Sequence, residues 1–195
     1  MEIWYTARGA GLAALIVLSL ATAVGALVSA PIRSVAARVV LQYLHRAAAT
    51  LGLGLLVLHI GAILADSYAG VGWLGALIPL RSGYRPGLAA LGSTAAYLFL
   101  LVAATGAARR RLAASARAVR CWRAIHLASY LAWGLAAVHG FTIGSDSALA
   151  WVRWIYAGCG LLVAAAGAAR LVLHRRRRRP HRRPTSRPLK QKVAA

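Results

Sequence analysis

Long apolar stretches separated by short polar connections dominate the chain. Two of them, 10–30 and 87–108, contain no charged residue, and three more carry only sparse polar groups, at 39–65, 124–144 and 154–173. Each is near the length of about 20 apolar residues that a helix needs to cross a bilayer. The pattern therefore predicts an all-α fold, a polytopic membrane bundle of five transmembrane helices. A hydrophobic content of 60% is also too high for an ordinary soluble domain.

Positive charge is unevenly distributed between the connections. Most of the formal net charge of +21 lies in three regions, which are 33–46, 109–123 and the segment from 170 onward. The three acidic residues, Glu2, Asp66 and Asp146, all lie in the other connections. Because short cytoplasmic loops carry the excess of Lys and Arg, we expect the N-terminus outside and the C-terminus inside. The arginine-rich, alanine-rich composition is typical of a GC-rich bacterium, which predicts a multi-pass protein of the bacterial plasma (inner) membrane.

The C-terminal segment 174–195 has a different composition from the rest. It contains five consecutive arginines at 175–179 and three prolines, and it has too little apolar surface to fold. We therefore expect a membrane domain over 1–173 and a disordered basic cytoplasmic tail over 174–195. Each basic residue next to a last helix contributes about 1 kcal/mol of attraction to anionic lipid. This favours anionic lipid, and not nucleic acid, as the partner of the tail.

Four histidines lie in two of the apolar stretches. His45 and His59 are 14 residues apart on the second predicted helix, and His126 and His139 are 13 apart on the fourth. Ionisable side chains at membrane depth are costly and usually functional. Both helices run from inside to outside, so His45 is at the depth of His126, and His59 is at the depth of His139.

Each depth-matched pair supplies two imidazoles to one iron, so the pattern predicts two b-type haems with bis-histidine ligation. Such six-coordinate iron has no open position for oxygen, and the predicted task is electron transfer across the membrane. Zinc is disfavoured, because two histidines without a carboxylate or thiolate make a poor tetrahedral site.

Helical geometry fits the first histidine pair better than the second. At 100° per residue, 14 residues place His59 about 40° from His45, whereas 13 residues place His139 about 140° from His126. The offset requires a rewound or kinked fourth helix, for which Gly134 is a candidate, or side chains that reach around the helix.

Two arginines lie beside the inner histidines. Arg46 adjoins His45, and Arg123 is about one turn before His126, so both are candidates to bind haem propionates. The alternative is that they only follow the distribution of positive charge. An alternative for the whole chain is a non-redox membrane scaffold or small transporter, whose histidines are helix contacts or a proton path.

The histidine spacing, on two helices with one helix between them, resembles the transmembrane domain of the ferric reductase and NADPH oxidase superfamily. The resemblance covers residues 5–173, and the segments Asp-Ser-Tyr-Ala-Gly-Val-Gly-Trp at 66–73 and Tyr-Arg-Pro at 84–86 resemble stand-alone actinobacterial members. It implies that His45 and His126 hold the inner haem and that His59 and His139 hold the outer haem.

The chain also departs from the full-length enzymes of that superfamily. They append a cytoplasmic module that binds flavin and nicotinamide, whereas this sequence has no G-x-G-x-x-G and only about 20 residues after the last predicted helix. We therefore expect a cytochrome b subunit with no catalytic residue of its own. Its electron donor would be a separate flavoprotein or a quinol, and its acceptor an extracytoplasmic redox partner. Stand-alone members such as the membrane subunit of methionine sulfoxide reductase systems work in this way.

Overall fold

The computed structural model describes residues 2–32, 34–66, 70–112 and 115–178. Over these residues all the regular structure is helical, as predicted. Five helices are long and apolar enough to cross a membrane, which also agrees with the sequence. They are α1 (Glu2–Val28), α2 (Val35–Ala65), α4 (Pro86–Ala107), α6 (Ala116–Ile143) and α7 (Ala150–Arg178). Between them lie the short helices α3 (Gly72–Leu77) and α5 (Arg109–Leu112) and a 3₁₀ turn, Ser145–Ala148.

The two helices that carry the histidines begin in the same way. Ser34 caps α2, where its hydroxyl accepts the N–H of Ala37 at 3.2 Å. Ser115 caps α6, where its hydroxyl accepts the N–H of Ala118 at 3.1 Å. The first turn of a helix leaves N–H groups without helical partners, and a capping serine satisfies one of them. Both helices therefore have a well-defined first residue.

The last helix extends beyond the predicted end of the membrane domain. The sequence predicts a boundary between 173 and 174, but α7 continues to Arg178. Arginine is a good helix former, so the first part of the basic segment prolongs the helix. Residues 179–195 lie outside the described residues, and the disorder of that part of the tail stays a prediction.

Helix α1 lies at the centre of the bundle. It packs along α2 and also contacts α7 and α6, while α4 packs along α6. Its buried face consists largely of alanines, which let neighbouring backbones approach closely; they are Ala7, Ala10, Ala14, Ala21, Ala23 and Ala26. By contrast, α2 and α6 make little direct contact with each other. The bundle is thus two helix pairs, α1 with α2 and α4 with α6.

Candidate functional site

Each of the four histidines lies against a glycine of the neighbouring helix in its pair. A Cβ placed on Gly11 of α1 would lie 2.8 Å from Nδ1 of His59, and one on Gly25 would lie 3.0 Å from Cε1 of His45. These separations are shorter than ordinary van der Waals contact, so any larger side chain at either glycine would displace the imidazole.

The second helix pair repeats this arrangement. A Cβ on Gly92 of α4 would lie 2.6 Å from Cε1 of His139, and one on Gly106 would lie 3.7 Å from Cε1 of His126. The last contact is looser than the other three. All four histidines therefore pack on α1 or α4, whose glycines leave room for the rings. We call Gly11, Gly25, Gly92 and Gly106 the seating glycines.

Main-chain carbonyls of α1 and α4 hold three of the four rings. Nδ1 of His45 lies 2.8 Å from the carbonyl oxygen of Ala21, and Nδ1 of His59 lies 2.7 Å from that of Ala7. Nδ1 of His139 lies 2.8 Å from the carbonyl oxygen of Leu88. A carbonyl oxygen only accepts, so Nδ1 must carry the hydrogen, which leaves the lone pair of the neutral ring on Nε2. A backbone hydrogen bond of this kind is what typically orients a metal-binding histidine.

His126 is the exception to this pattern. Its Nδ1 is buried and has no hydrogen-bond partner. In the other three cases the accepting carbonyl belongs to the residue four positions before the seating glycine, which for Gly106 would be Val102. The carbonyl of Val102 instead accepts the hydroxyl of Thr105 at 3.0 Å.

A difference of one residue explains why His126 is displaced. The glycines are 14 residues apart on both α1 and α4, and the histidines are 14 apart on α2 but 13 apart on α6. With His139 in place on Leu88, His126 falls short by about 1.5 Å of rise and is rotated by about 100°. Helix α6 runs without interruption through Gly134, where a Cβ would meet nothing within 4 Å. The offset inferred from the sequence is therefore absorbed at His126, by the loss of its carbonyl partner.

An aromatic ring and an arginine cover His126 instead. The Trp122 ring stacks on the imidazole, with centroids 5.1 Å apart and planes 26° apart. The guanidinium carbon of Arg109 lies 4.9 Å from the centroid of the Trp122 ring, and Trp122 Nε1 donates to the Thr105 carbonyl at 3.1 Å. We call Arg109, Trp122 and His126 the inner stack. Sequence reasoning missed it, although Trp122 precedes His126 by four residues and so lies on the same face of α6.

At one level the structure brings together a histidine of α2 and a histidine of α6. The rings of His45 and His126 lie edge to face, with centroids 6.0 Å apart and planes 67° apart. His59 and His139 form the other level, where the carbonyls of Ala7 and Leu88 hold the two rings. If one iron joined the two rings, the distance between ring centroids would be the sum of two metal–nitrogen bonds of about 2.0 Å each and the distance from each nitrogen to its own centroid. This sum is close to the centroid distance observed between His45 and His126. The separation of the two rings would therefore allow both to bind a single iron.

The two arginines predicted to bind haem propionates have a different environment. Arg46 and Arg123 are both exposed. Arg46 lines an open depression along α2 together with Tyr43 and Thr50. Among the described residues, the arginine that the structure places beside the inner histidines is Arg109. The role of Arg46 and Arg123 toward propionates stays a prediction.

An apolar layer separates the two histidine levels. Leu18 of α1, Phe99 of α4 and Ala132 of α6 form a buried cluster. Leu18 packs against Gly52, where an added Cβ would lie 2.7 Å from its Cδ2. Beside this layer the indole N–H of Trp133 donates to the buried hydroxyl of Ser19 at 2.8 Å. On α1 the layer lies between Gly11 and Gly25, and on α4 it lies between Gly92 and Gly106.

The two helix pairs also match in sequence. With a shift of 81 positions, Gly11, Gly25, Ser34 and His45 coincide with Gly92, Gly106, Ser115 and His126, and Leu18 coincides with Phe99. His59 and His139 are 80 positions apart, since the second pair lacks one residue between its histidines. The motif Gly-Leu-x-x-x-His occurs at both 54–59 and 134–139. This internal repeat is the sequence feature from which the seating glycines could have been predicted.

The chemistry of the donor set favours haem over a bare metal ion. Within the described ranges, no three or more His, Cys, Asp or Glu side chains cluster where they could hold a metal. Two imidazoles are too few for zinc, whereas a haem iron takes its equatorial ligands from the macrocycle and needs only the axial two. Comparisons of the chain with protein-family models, curated proteins and solved structures give no match. The case for haem therefore rests on the geometry of the histidines.

Proposed function

We propose that this protein transfers electrons across a membrane through two b-type haems, each held by one histidine of α2 and one of α6. It would serve as the cytochrome b subunit of a ferric reductase-like oxidoreductase system. The observation that carries the proposal is the pair His45 and His126, with ring centroids 6.0 Å apart across the gap between α2 and α6. The equivalent seating of His59 and His139 supports a second centre of the same kind.

The chain's own residues would perform three tasks. The histidines would hold the haem iron through a ring nitrogen, which is Nε2 in the three rings whose Nδ1 is fixed by the carbonyls of Ala7, Ala21 and Leu88. The glycines of α1 and α4 leave space for the imidazoles, and the apolar layer excludes water between the two levels. A bound haem supplies an iron that takes up and releases one electron.

The surface of the helices supports insertion in a bilayer. Large apolar side chains are exposed along α2 and α6; examples are Val57, Leu58, Leu131, Val138 and Phe141. A contiguous apolar surface of this size on a soluble monomer would favour association. We propose a multi-pass protein of the bacterial plasma membrane, with the N-terminus outside and the C-terminus inside. The basic segment 174–195 would then contact anionic lipid at the cytoplasmic surface.

Electrons would enter and leave through other molecules. A separate flavoprotein or a membrane quinol is the proposed donor, and an extracytoplasmic redox protein is the proposed acceptor. Quinone that co-purifies with the protein, and slower haem reduction after its extraction, would favour the quinol. Unchanged reduction after extraction would favour the flavoprotein.

The first experiment is a count of haem per chain. We expect a pyridine haemochrome assay on the purified full chain to give two haem b per protein. His59→Ala or His139→Ala should remove one haem and leave the other, while His174→Ala, an exposed histidine near the end of α7, should leave both. A haem content near zero after expression with ample haem would overturn the proposal in favour of the scaffold or transporter alternative.

A further inference from the structure

The inner histidine pair differs from the outer pair in its surroundings. In the outer pair, both His59 and His139 donate Nδ1–H to a main-chain carbonyl. In the inner pair only His45 does so, and Nδ1 of His126 is buried without a partner. The inner stack covers the ring that lacks this hydrogen bond.

The internal repeat shows that the inner stack is specific to the second helix pair. The positions that match Trp122 and Arg109 in the first pair are Leu41 and Val28, which offer neither an aromatic face nor a charge. His45 therefore has the carbonyl and no stack, and His126 has the stack and no carbonyl. The stack therefore lies at His126, the histidine that loses its carbonyl partner because the interval between the histidines of α6 is one residue shorter than on α2.

We infer that Trp122 and Arg109 are positioning residues that hold His126 and raise the reduction potential of the inner centre above that of the outer one. The inference rests on the proposed function, because it concerns two haem irons held by these histidines. Trp122 substitutes for the lost hydrogen bond by fixing the plane of the ring. Its own indole N–H is anchored to the Thr105 carbonyl, so the stack has a fixed position relative to α4.

Two features of the inner level act on the reduction potential in the same direction. A hydrogen bond from Nδ1–H to a carbonyl makes the imidazole a more basic ligand, which favours ferric iron. His126 lacks this bond, so its iron is easier to reduce than one with two such ligands. The positive charge of Arg109 also favours the ferrous form, which carries one positive charge fewer. Arg109 is exposed, so solvent screens part of its effect.

The consequence is an ordered filling of the two centres. Each centre takes one electron from the flavoprotein or quinol donor, which reduces ferric to ferrous iron. The inner centre would be reduced first in an equilibrium titration, and the outer centre at lower potential. An electron would therefore reside on the cytoplasmic side until the donor or acceptor drives it further.

An equilibrium redox titration of the purified full chain, followed by haem absorbance, tests the inference. The wild type should titrate in two one-electron steps. His126→Ala should abolish the step at higher potential and leave the one at lower potential. Loss of the lower step in this variant would overturn the inference while two haems in the wild type would keep the proposed function intact.

Variants of the inner stack give a second test. Arg109→Gln keeps the indole in place, and Trp122→Phe keeps a ring but removes the donor to Thr105. With the haem count unchanged, Arg109→Gln should move only the upper step to lower potential. Trp122→Phe should alter the electron paramagnetic resonance of the ferric inner centre, because the plane of the His126 ring is no longer anchored. Arg111→Gln, which removes an exposed charge from the same short helix, should move neither step. If Arg109→Gln retains two haems with unshifted steps and Trp122→Phe has an unchanged spectrum, or if Arg111→Gln shifts the upper step equally, the inference is wrong.

Discussion

His59 donates Nδ1–H to the carbonyl oxygen of Ala7, a residue 52 positions earlier in the chain, at a distance of 2.7 Å. The bond ties the C-terminal part of α2 to the N-terminal part of α1. It also fixes which nitrogen of the imidazole is left to bind a metal. The same relationship joins His45 to Ala21 and His139 to Leu88. A repeated main-chain contact of this kind is a property of how the helices pair, and it leads to the following predictions.

Substitution of a seating glycine should remove the haem of that level. Gly92→Ala would place a Cβ 2.6 Å from Cε1 of His139, so the ring must move and the outer haem should be lost. Gly134→Ala is the matched control, because a Cβ there meets nothing within 4 Å. It should retain both haems and stabilise α6 by about 0.5–1 kcal/mol. Haem content and thermal unfolding of the two variants are the measurements. Two haems in Gly92→Ala would contradict the prediction that this position has no room for a Cβ beside His139.

The hydrogen bond between Trp133 and Ser19 should contribute to stability. Trp133→Phe removes the N–H donor, while the Ser19 hydroxyl still donates to the Leu15 carbonyl at 2.6 Å. We expect the free energy of unfolding to fall by about 0.5–1.5 kcal/mol, as for a typical internal hydrogen bond. Trp73→Phe, at an exposed position in α3, should change it very little. Denaturant unfolding of Trp133→Phe, Ser19→Ala and the double variant should show that the two losses are not additive.

The ion pair between Arg8 and Asp146 should stabilise the outer end of the bundle only slightly. It joins α1 to the 3₁₀ turn before α7, and its side chains are 26% and 29% exposed. Arg8→Gln should lower the free energy of unfolding by about 1 kcal/mol or less, since solvent still screens a partly exposed pair. The reversed pair Arg8→Asp with Asp146→Arg should recover most of the loss. A single variant that unfolds the protein would show that the pair has a larger role than its exposure implies.

The proposed orientation predicts which connections can be labelled from each side of the membrane. In a background with Cys121→Ser and Cys159→Ser, a cysteine at Ser145 should react with an impermeant thiol reagent added to intact cells. A cysteine at Arg111 should react only after the membrane is opened. The reverse pattern would show that the charge distribution has been interpreted with the wrong sign.

The helices and the positions of His45 and His126 along them were predictable because they depend on local properties. Apolar length predicts a spanning helix, and His45 and His126 each follow a capping serine by 11 residues, so they lie at similar distances from the starts of α2 and α6. The seat of each ring was harder to foresee, because it depends on which face of α1 meets α2. A glycine in an apolar stretch has many possible roles, and only the pairing shows that Gly11 lies under His59.

Arg109 shows a second limit of the sequence. It lies in a run of three arginines, which the proposed cytoplasmic location of this connection would by itself explain. Nothing in the run distinguishes Arg109 from Arg111, and the sequence instead directs attention to Arg46 and Arg123, which adjoin histidines. The distinction arises from the end of α4 at Ala107 and the start of α5 at Arg109, which bring its guanidinium over Trp122.

The acceptors that orient His45, His59 and His139 are main-chain atoms, and this has a consequence for how the protein tolerates mutation. No single side-chain substitution at Ala7, Ala21 or Leu88 deletes a carbonyl, so these positions are free to change wherever the new side chain still packs. Insertions and deletions within the helices are different, because one residue more or fewer shifts a histidine relative to its carbonyl. The histidine then loses its hydrogen-bond partner, as His126 has. The site is thus robust to changes in the identity of many residues and sensitive to changes in their number. Sequences with few identical residues can therefore build the same pair of sites, provided that they keep the glycines, the histidines and the intervals between them.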